Sequence, residues 1–429
     1  MGKIKDIVAR EILASGGLPT VEVTITLLNG VSADASISYG LSAGSKEAFV
    51  LVDEDAKRYA GKGMLKAVEN INTEIRDMIL GKDSEDQKEL DNLMIRLDGT
   101  KNKARLGGNA ILAVSMGLAK VSAKDKGKEL YHYLKDHLLG DTSDQFILPA
   151  PMMVAIEGGK HADSTTDIQE FCISMINKDM SAKEKVRTGE EVYIKLGKIL
   201  KKEGFSTNVG NEGAYAPNGI TSNSLPFEYI TQAIEMAGFT PGIDVGISID
   251  PAASEFYKDG KYHLKLEQRE YSPEEMVRYY KPLYENYSIT SMEDILSEFD
   301  KDDWGILMKS FPKSLIVADD LTVTNIEIIK DVIEKKLANA VIIKLNQIGT
   351  LTETLEAGMY CKQNGIATIF SHRGGGESND TTMVDAAVAV GSAFIKVGPS
   401  RGERVCKYNR LMRIEEDALK IMGKNLLIK

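Results

Sequence analysis

Cysteine is scarce in this chain: Cys172, Cys361 and Cys406 lie far apart among 429 residues, without CxxC spacing. That excludes a disulfide framework and a cysteine zinc site, and it fits a reducing compartment. Histidine is nearly as rare, at five residues, with no HExxH or similar ligand spacing. No apolar run approaches membrane-spanning length, so no membrane insertion is expected. Residues 1–6 (MGKIKD) lead into no apolar h-region, so no secretory signal is expected. Gly2 hints at myristoylation, but Asp6 stands where that motif needs Ser or Thr. Positive charge is in deficit, 53 Lys and Arg against 63 Asp and Glu, a net −10. This argues against a nucleic-acid partner while leaving room for a locally basic pocket that takes an anionic substrate. What is present is ordinary: 43% hydrophobic and 27% charged residues, in a chain long enough for two or three domains. A cytoplasmic protein is the reading.

Residues 20–28 (TVEVTITLL) alternate like a half-buried strand, Asn29-Gly30 is a hairpin turn signal, and residues 32–38 are its expected partner. From about 45 to 138 the pattern is helical, with long stretches at 64–80 and 109–124. Strands followed by helices predict an α+β domain over 1–140, and the polar stretch 140–145 (GDTSDQ) is the expected boundary. After about residue 240 short apolar strands recur, each ending in a polar or charged group: Asp250, Glu293, Asp319, Lys344, His372 and Lys396. From Glu293 onward the steps are 26, 25, 28 and 24 residues, the length of one strand–helix unit. The longer step from Asp250 has room for an excursion, with a hairpin turn expected at Lys258-Asp259-Gly260. Repeated units of this kind predict a parallel sheet, as a closed barrel or as an open doubly wound sheet.

A single carboxylate at a strand end is most simply the N-cap of the next helix. Six successive strand ends bearing acids, lysines and a histidine resist that explanation, since Lys caps poorly and is costly to bury unpaired. Together they predict a polar site at one barrel face. Asp250, Glu293 and Asp319 offer oxygen ligands suited to a hard cation, Mg²⁺ more naturally than zinc. Lys344 comes one unit later, and a partly desolvated lysine beside bound cations can have its pKa lowered towards neutrality and act as a general base.

Several long segments resemble the enolases (phosphopyruvate hydratases): 317–325 (VADDLTVTN), 343–354 (IKLNQIGTLTET), 97–103 (LDGTKNK), 106–115 (LGGNAILAVS), 167–171 (DIQEF) and 407–415 (KYNRLMRIE). The resemblance spans essentially the whole chain. It implies an α+β capping domain over 1–140 and a TIM-like, enolase-type α/β barrel catalytic domain over 141–429. It also implies a glycolytic lyase that converts 2-phospho-D-glycerate reversibly to phosphoenolpyruvate through an ene-diolate. By resemblance Asp250, Glu293 and Asp319 hold one Mg²⁺, and Ser42 joins a second that arrives with substrate. Lys344 removes the C2 proton, while Glu212, helped by Glu170, protonates the departing C3 hydroxyl. Lys396 pairs with the substrate carboxylate, and His161 and Arg373 close on the phosphate. Gln169 and His372 complete the substrate-binding set. A small phosphorylated 2-hydroxy acid is the implied partner, and a homo-oligomer, dimer or octamer, the implied assembly.

Each of these has a plainer alternative. His161, Glu212 and Ser42, taken singly, read as loop residues, and Gly374-Gly375-Gly376 as a flexible turn. The chain also departs from the family pattern, chiefly in loops. Residues 14–20 (ASGGLPT) replace DSRGNPT, which puts subunit geometry in question; 39–44 (YGLSAG) replace SGASTG, keeping Ser42 but adding the bulk of Tyr39. Asn211 and Ala214 replace an Asp and a Gly around Glu212, Glu157 replaces an Asn in MNIINGG, and Gly374 replaces a phosphate-binding Ser. Weakened phosphate contacts are expected, which gives a second reading, a divergent paralogue with altered substrate. A third, a surface protein that binds plasminogen, rests on the terminal Lys429 alone.

Overall fold

The computed structural model describes residues 2–40, 46–163, 165–422 and 427–428. In the N-terminal part β1 (Ile4–Leu13) pairs antiparallel with β2 (Pro19–Leu27), and β2 pairs antiparallel with β3 (Ser32–Ser36). The sequence pattern shows β2, whose Val21, Val23, Ile25 and Leu27 are wholly buried at every second position. It hides β1, because a register shift between Ile4 and Asp6 breaks the alternation. Helix α1 (Gly108–Asp125) packs on this sheet and is buried along nearly its whole length. A Cβ at Gly117 would lie 2.9 Å from Ile25 Cδ1 and 3.1 Å from Val23 Cγ1, so the helix sits that close only because position 117 has no side chain.

Residues 46–63, expected as helix, are largely turns and irregular chain. Glu54, Tyr59 and Ala60 have positive φ there, as does Gly61, and helix begins only at Leu65. From Leu65 to Ile79 the chain is helical with one π turn (Ile71–Ile75), and Ala67, Ile71, Ile75 and Ile79 form its buried face.

The remainder is a closed barrel, as one of the two expected sheets. Its strands in order around the wall are β4 (Ala150–Glu157), β5 (Glu170–Met175), β6 (Val245–Asp250), β7 (Ile289–Glu293), β8 (Leu315–Ala318), β9 (Ala340–Ile343), β10 (Ala367–Ser371) and β11 (Phe394–Val397). Strand β5 runs antiparallel to both neighbours and every other adjacent pair is parallel. The six strand ends read from the sequence belong to β6–β11. Met152, Val154, Cys172, Val317, Ala340, Ile342 and Ile369 pack together as one apolar cluster of barrel-strand side chains. The expected turn at Asp259-Gly260 joins a two-stranded hairpin. Helix α2 (Pro273–Asn286) starts where the sequence marks it: Ser272 accepts from Glu275 N at 3.3 Å, Glu275 Oε2 accepts from Ser272 N at 2.8 Å, and Pro273 fills the first turn.

The two parts are joined by buried polar contacts. Asp91 accepts from Thr352 Oγ1 at 2.6 Å, and Ser115 Oγ accepts from Leu351 N at 2.9 Å, both across to the helix that follows β9. No helix among the described residues is long and apolar enough to cross a membrane.

Candidate active site

Parallel strands present their C-terminal ends at one face of the barrel. Asp250 and Glu293 end β6 and β7; Asp319, Lys344 and His372 directly follow β8, β9 and β10; Lys396 lies within β11. Because β5 is antiparallel, its first residue reaches that face, so Glu170 pairs in register with Asp250 on one side and Glu157, the last residue of β4, on the other. A narrow polar cleft opens there. Of the residues expected in the site, all the described ones except Glu293 line it. Ser42 lies outside the described residues.

On the acidic side one ammonium gathers three carboxylates. Lys396 Nζ is 2.8 Å from Glu170 Oε2, 2.9 Å from Asp250 Oδ2 and 2.8 Å from Glu293 Oε2, all buried. Burial alone would lower this lysine, but those carboxylates outweigh it and hold it well above its usual range. Lys344 Nζ contacts Asp319 Oδ2, and Gln347 Nε2 donates to Asp319 Oδ1 at 2.8 Å. Burial pulls the Lys344 pKa down, but the Asp319 charge against it prevails and raises it. The sequence shows the lysine but not the carboxylate it pairs with.

Two acids that the sequence reasoning passed over join this side. Asp294 accepts from Asp319 N at 3.0 Å and Asp320 N at 2.8 Å, and oxygens of Asp294, Asp319 and Asp320 lie within 4.8 Å of one another. The signal for both was present, since each directly follows an assigned strand-end acid. Burial, then the Asp250 charge, raises Glu293 well above the carboxylate range, and its Oε1 is buried without a hydrogen-bond partner among the described residues. An orphaned carboxylate oxygen, in a set of buried acids that outnumbers its two lysines, suits a hard divalent cation, and the acids whose oxygens already lie close enough to share one are Asp294, Asp319 and Asp320.

The other side holds Glu212, in a loop seated against glycines: a Cβ at Gly398 would be 1.9 Å from the Glu212 carbonyl oxygen. Glu212 Oε1 lies 3.3 Å from His372 Nε2 and 3.5 Å from His161 Nδ1. His161 Nδ1 is also 3.5 Å from Glu170 Oε1, so one imidazole faces both expected acid groups. Burial pushes His372 down to about 4 and lowers His161, while burial and the Glu212 charge push Glu170 up to about 8. Gln169 is buried with Oε1 unpartnered among the described residues. Arg373 is buried and forked onto Glu47, at 2.9 and 3.2 Å, with Asn346 Oδ1 at 3.2 Å. Glu47 was not anticipated; nothing in the sequence near it marks an arginine partner.

The departures from the family pattern fit one another. A Cβ at Gly374 would meet His161 Nε2 at 2.6 Å and Glu212 Oε1 at 2.7 Å, so a serine cannot stand there in this arrangement. Tyr39 and Gly376 exchange backbone hydrogen bonds of 2.9 Å, and a Cβ at Gly376 would be 2.2 Å from the Tyr39 ring. Ser15, in the altered 14–20 segment, donates to the Gly375 carbonyl at 2.6 Å and accepts from Glu377 N at 2.9 Å. That segment thus docks on the glycine turn of its own chain.

Residues 4–134 match the family model of the enolase N-terminal domain, and residues 145–425 match that of the enolase C-terminal TIM barrel domain.

Proposed function

The chain belongs to the enolase family, and from that premise we propose that it is a Mg²⁺-dependent lyase that interconverts 2-phospho-D-glycerate and phosphoenolpyruvate. The observation that carries the reading is that Lys344 and Glu212, a candidate base and a candidate acid, open onto one cleft floored by strand-end carboxylates. Asp250, Glu293 and Asp319 would hold the cation. The chemistry it supplies is electrostatic, positive charge against the substrate carboxylate, where negative charge builds as C2 loses its proton.

The chain's own groups account for the rest. Lys396, held cationic by its three carboxylates, orients the substrate carboxylate. Lys344 takes the C2 proton; to do so it must first lose the proton that Asp319 stabilises, which ties the base to the state of a metal ligand. Glu212 gives a proton to the C3 hydroxyl, which leaves as water, with His161 and Glu170 adjoining that carboxyl. Arg373 and His161 bind the phosphate, Arg373 by giving up part of its fork on Glu47. A cytoplasmic homo-oligomer completes the proposal, checked by light scattering. The decisive assay is purified protein with Mg²⁺ and 2-phosphoglycerate, followed by the ultraviolet absorbance of the enol product. No turnover at any substrate concentration rejects the reading.

A second reading keeps the chemistry and changes the substrate. It is favoured by Arg373 already satisfied by Glu47 and by Gly374 offering no hydroxyl to a phosphate. Turnover of 2-phosphoglycerate with a high KM, together with a lower KM for another phosphorylated 2-hydroxy acid, would select it.

A further inference from the structure

We propose that Glu157 and Glu212 share a single proton across the acid loop, with Glu157 as the positioning residue that holds the loop and keeps Glu212 supplied. The inference rests on the reading of Glu212 as the acid and adds a partner that this reading lacks.

The geometry begins at the end of β4. Glu157 is fully buried, and its Oε1 accepts the backbone N–H groups of Glu212 and Ala214, each at 2.9 Å. Two donors on Oε1 leave Oε2 to carry any proton, and Oε2 is buried without a partner among the described residues. An oxygen of Glu157, an oxygen of Glu212 and a ring nitrogen of His161 lie within 4.8 Å of one another. Glu212 Oε2 is likewise buried and unpartnered. Two carboxyls this close in a dry pocket do not both ionise.

The surrounding groups decide where the proton rests. Arg404 donates to His372 Nδ1 at 2.7 Å, so Nε2 bears the ring hydrogen and faces Glu212 Oε1, which is an acceptor's place. Burial would raise Glu212, but the His372 Nε2–H facing its Oε1 and the buried Arg404 charge favour its ionised form. Burial and the Glu212 charge raise the third nearby acid, Glu170, as well, to about 8, and the Lys396 ammonium at 2.8 Å holds it below Glu157. Glu157 has no cation in contact among the described residues, and burial with the Glu212 charge pushes it up to about 9. The resting proton is therefore on Glu157. During dehydration the two carboxyls, with oxygens within 4.8 Å, close to hydrogen-bond distance, and the Glu157 Oε2–H bond breaks as a Glu212 O–H bond forms. The Glu212 O–H then breaks as the C3 hydroxyl gains the proton and departs as water, and solvent later returns a proton to Glu157. The chain carries Asn211 where the family pattern has Asp and Glu157 where it has Asn, so a carboxyl missing on one side of Glu212 is present on the other.

Glu157→Gln tests this, because glutamine keeps the oxygen that accepts from Glu212 and Ala214 while removing the titrating group. Infrared spectra without substrate, taken as wild type minus E157Q, should show one buried carboxylic-acid band at neutral pH that is lost near pH 9, beyond the bands of Glu293 and Glu170 that both proteins share. A difference spectrum with no such band overturns the proposal. In turnover of 2-phosphoglycerate, wild-type kcat should stay level across neutral pH, whereas kcat of E157Q should fall about tenfold for each pH unit. KM should stay within about twofold, since Glu157 acts through Glu212 and not on bound substrate. Superimposable pH profiles would also overturn it, leaving Glu157 a structural acceptor. Wild type that shows the band yet no turnover rejects the proposed activity and leaves the shared proton standing.

Discussion

Arg404 donates to Nδ1 of His372 at 2.7 Å from a fully buried guanidinium, and that bond, backed by the longer one from Gly398 N at 3.4 Å, decides which ring nitrogen carries hydrogen. Arginine cannot accept, so Nδ1 must, and Nε2–H is left facing Glu212 at 3.3 Å. Arg404→Leu should let the ring adopt the other tautomer and lower kcat by about 100-fold, with KM little changed. Nitrogen NMR of His372 should show the tautomer change. Wild-type kcat with the ring inverted would mean that the tautomer is irrelevant to the acid.

The same histidine makes stability depend on pH. Burial lowers His372 from 6.5 to about 4, so between those values the unfolded chain binds a proton that the folded one does not. The contribution is whole above pH 6.5 and is lost as pH falls towards 4, amounting to about 3 kcal/mol. Urea unfolding over this window should show a shallower pH slope in His372→Gln than in wild type.

Lys344→Ala should reduce kcat about 10³-fold or more, as expected for loss of a proton-transfer group. It also removes the ammonium from Asp319, so Mg²⁺ affinity by calorimetry should be unchanged or tighter. Weaker Mg²⁺ binding would place Lys344 among the supports of the metal rather than opposite it.

Gly374→Ser restores the family residue and should nevertheless do harm. Its Cβ would lie 2.5 Å from His161 Cε1 and 2.7 Å from Glu212 Oε1. Overpacking of this kind costs about 1–3 kcal/mol. Thermal melts should show a lowered Tm and assays a lowered kcat; a fall in KM at wild-type stability would contradict the geometry.

Tyr39 and Gly376 should behave as a coupled pair. Gly376→Ala drives a methyl to 2.2 Å from the Tyr39 ring and should destabilise, whereas Tyr39→Ala with Gly376→Ala should recover part of the loss. Tyr39→Phe removes a buried hydroxyl that has no partner among the described residues and should be neutral or stabilising, by up to about 1 kcal/mol. Denaturant midpoints of the four proteins of the cycle settle the coupling.

Much of this protein is determined along the chain. The βα units after residue 240 show themselves because each hydrophobic strand and its helix repeat at nearly constant length, and the strand-end acids and lysines follow from that rhythm. Strands β4 and β5 escape it, since β5 runs antiparallel and only a short 3-10 turn, Gly159–His161, with no α-helix, separates the two. Glu157 and Glu170 therefore belong to no visible period; Glu170 is legible only through the resemblance, and Glu157 only as a departure from it. Charge states are decided by the tertiary structure alone. Lys344 looks like a lysine free to lose its proton until Asp319, 25 positions earlier, is seen against it. The tautomer of His372 depends on Arg404, 32 positions later, and the proton of Glu157 on Glu212, 55 positions away. Local sequence governs periodicity and capping, whose range is a few residues. A pKa answers to burial and to whatever charge lies within a few ångströms, and only the folded chain brings those groups together.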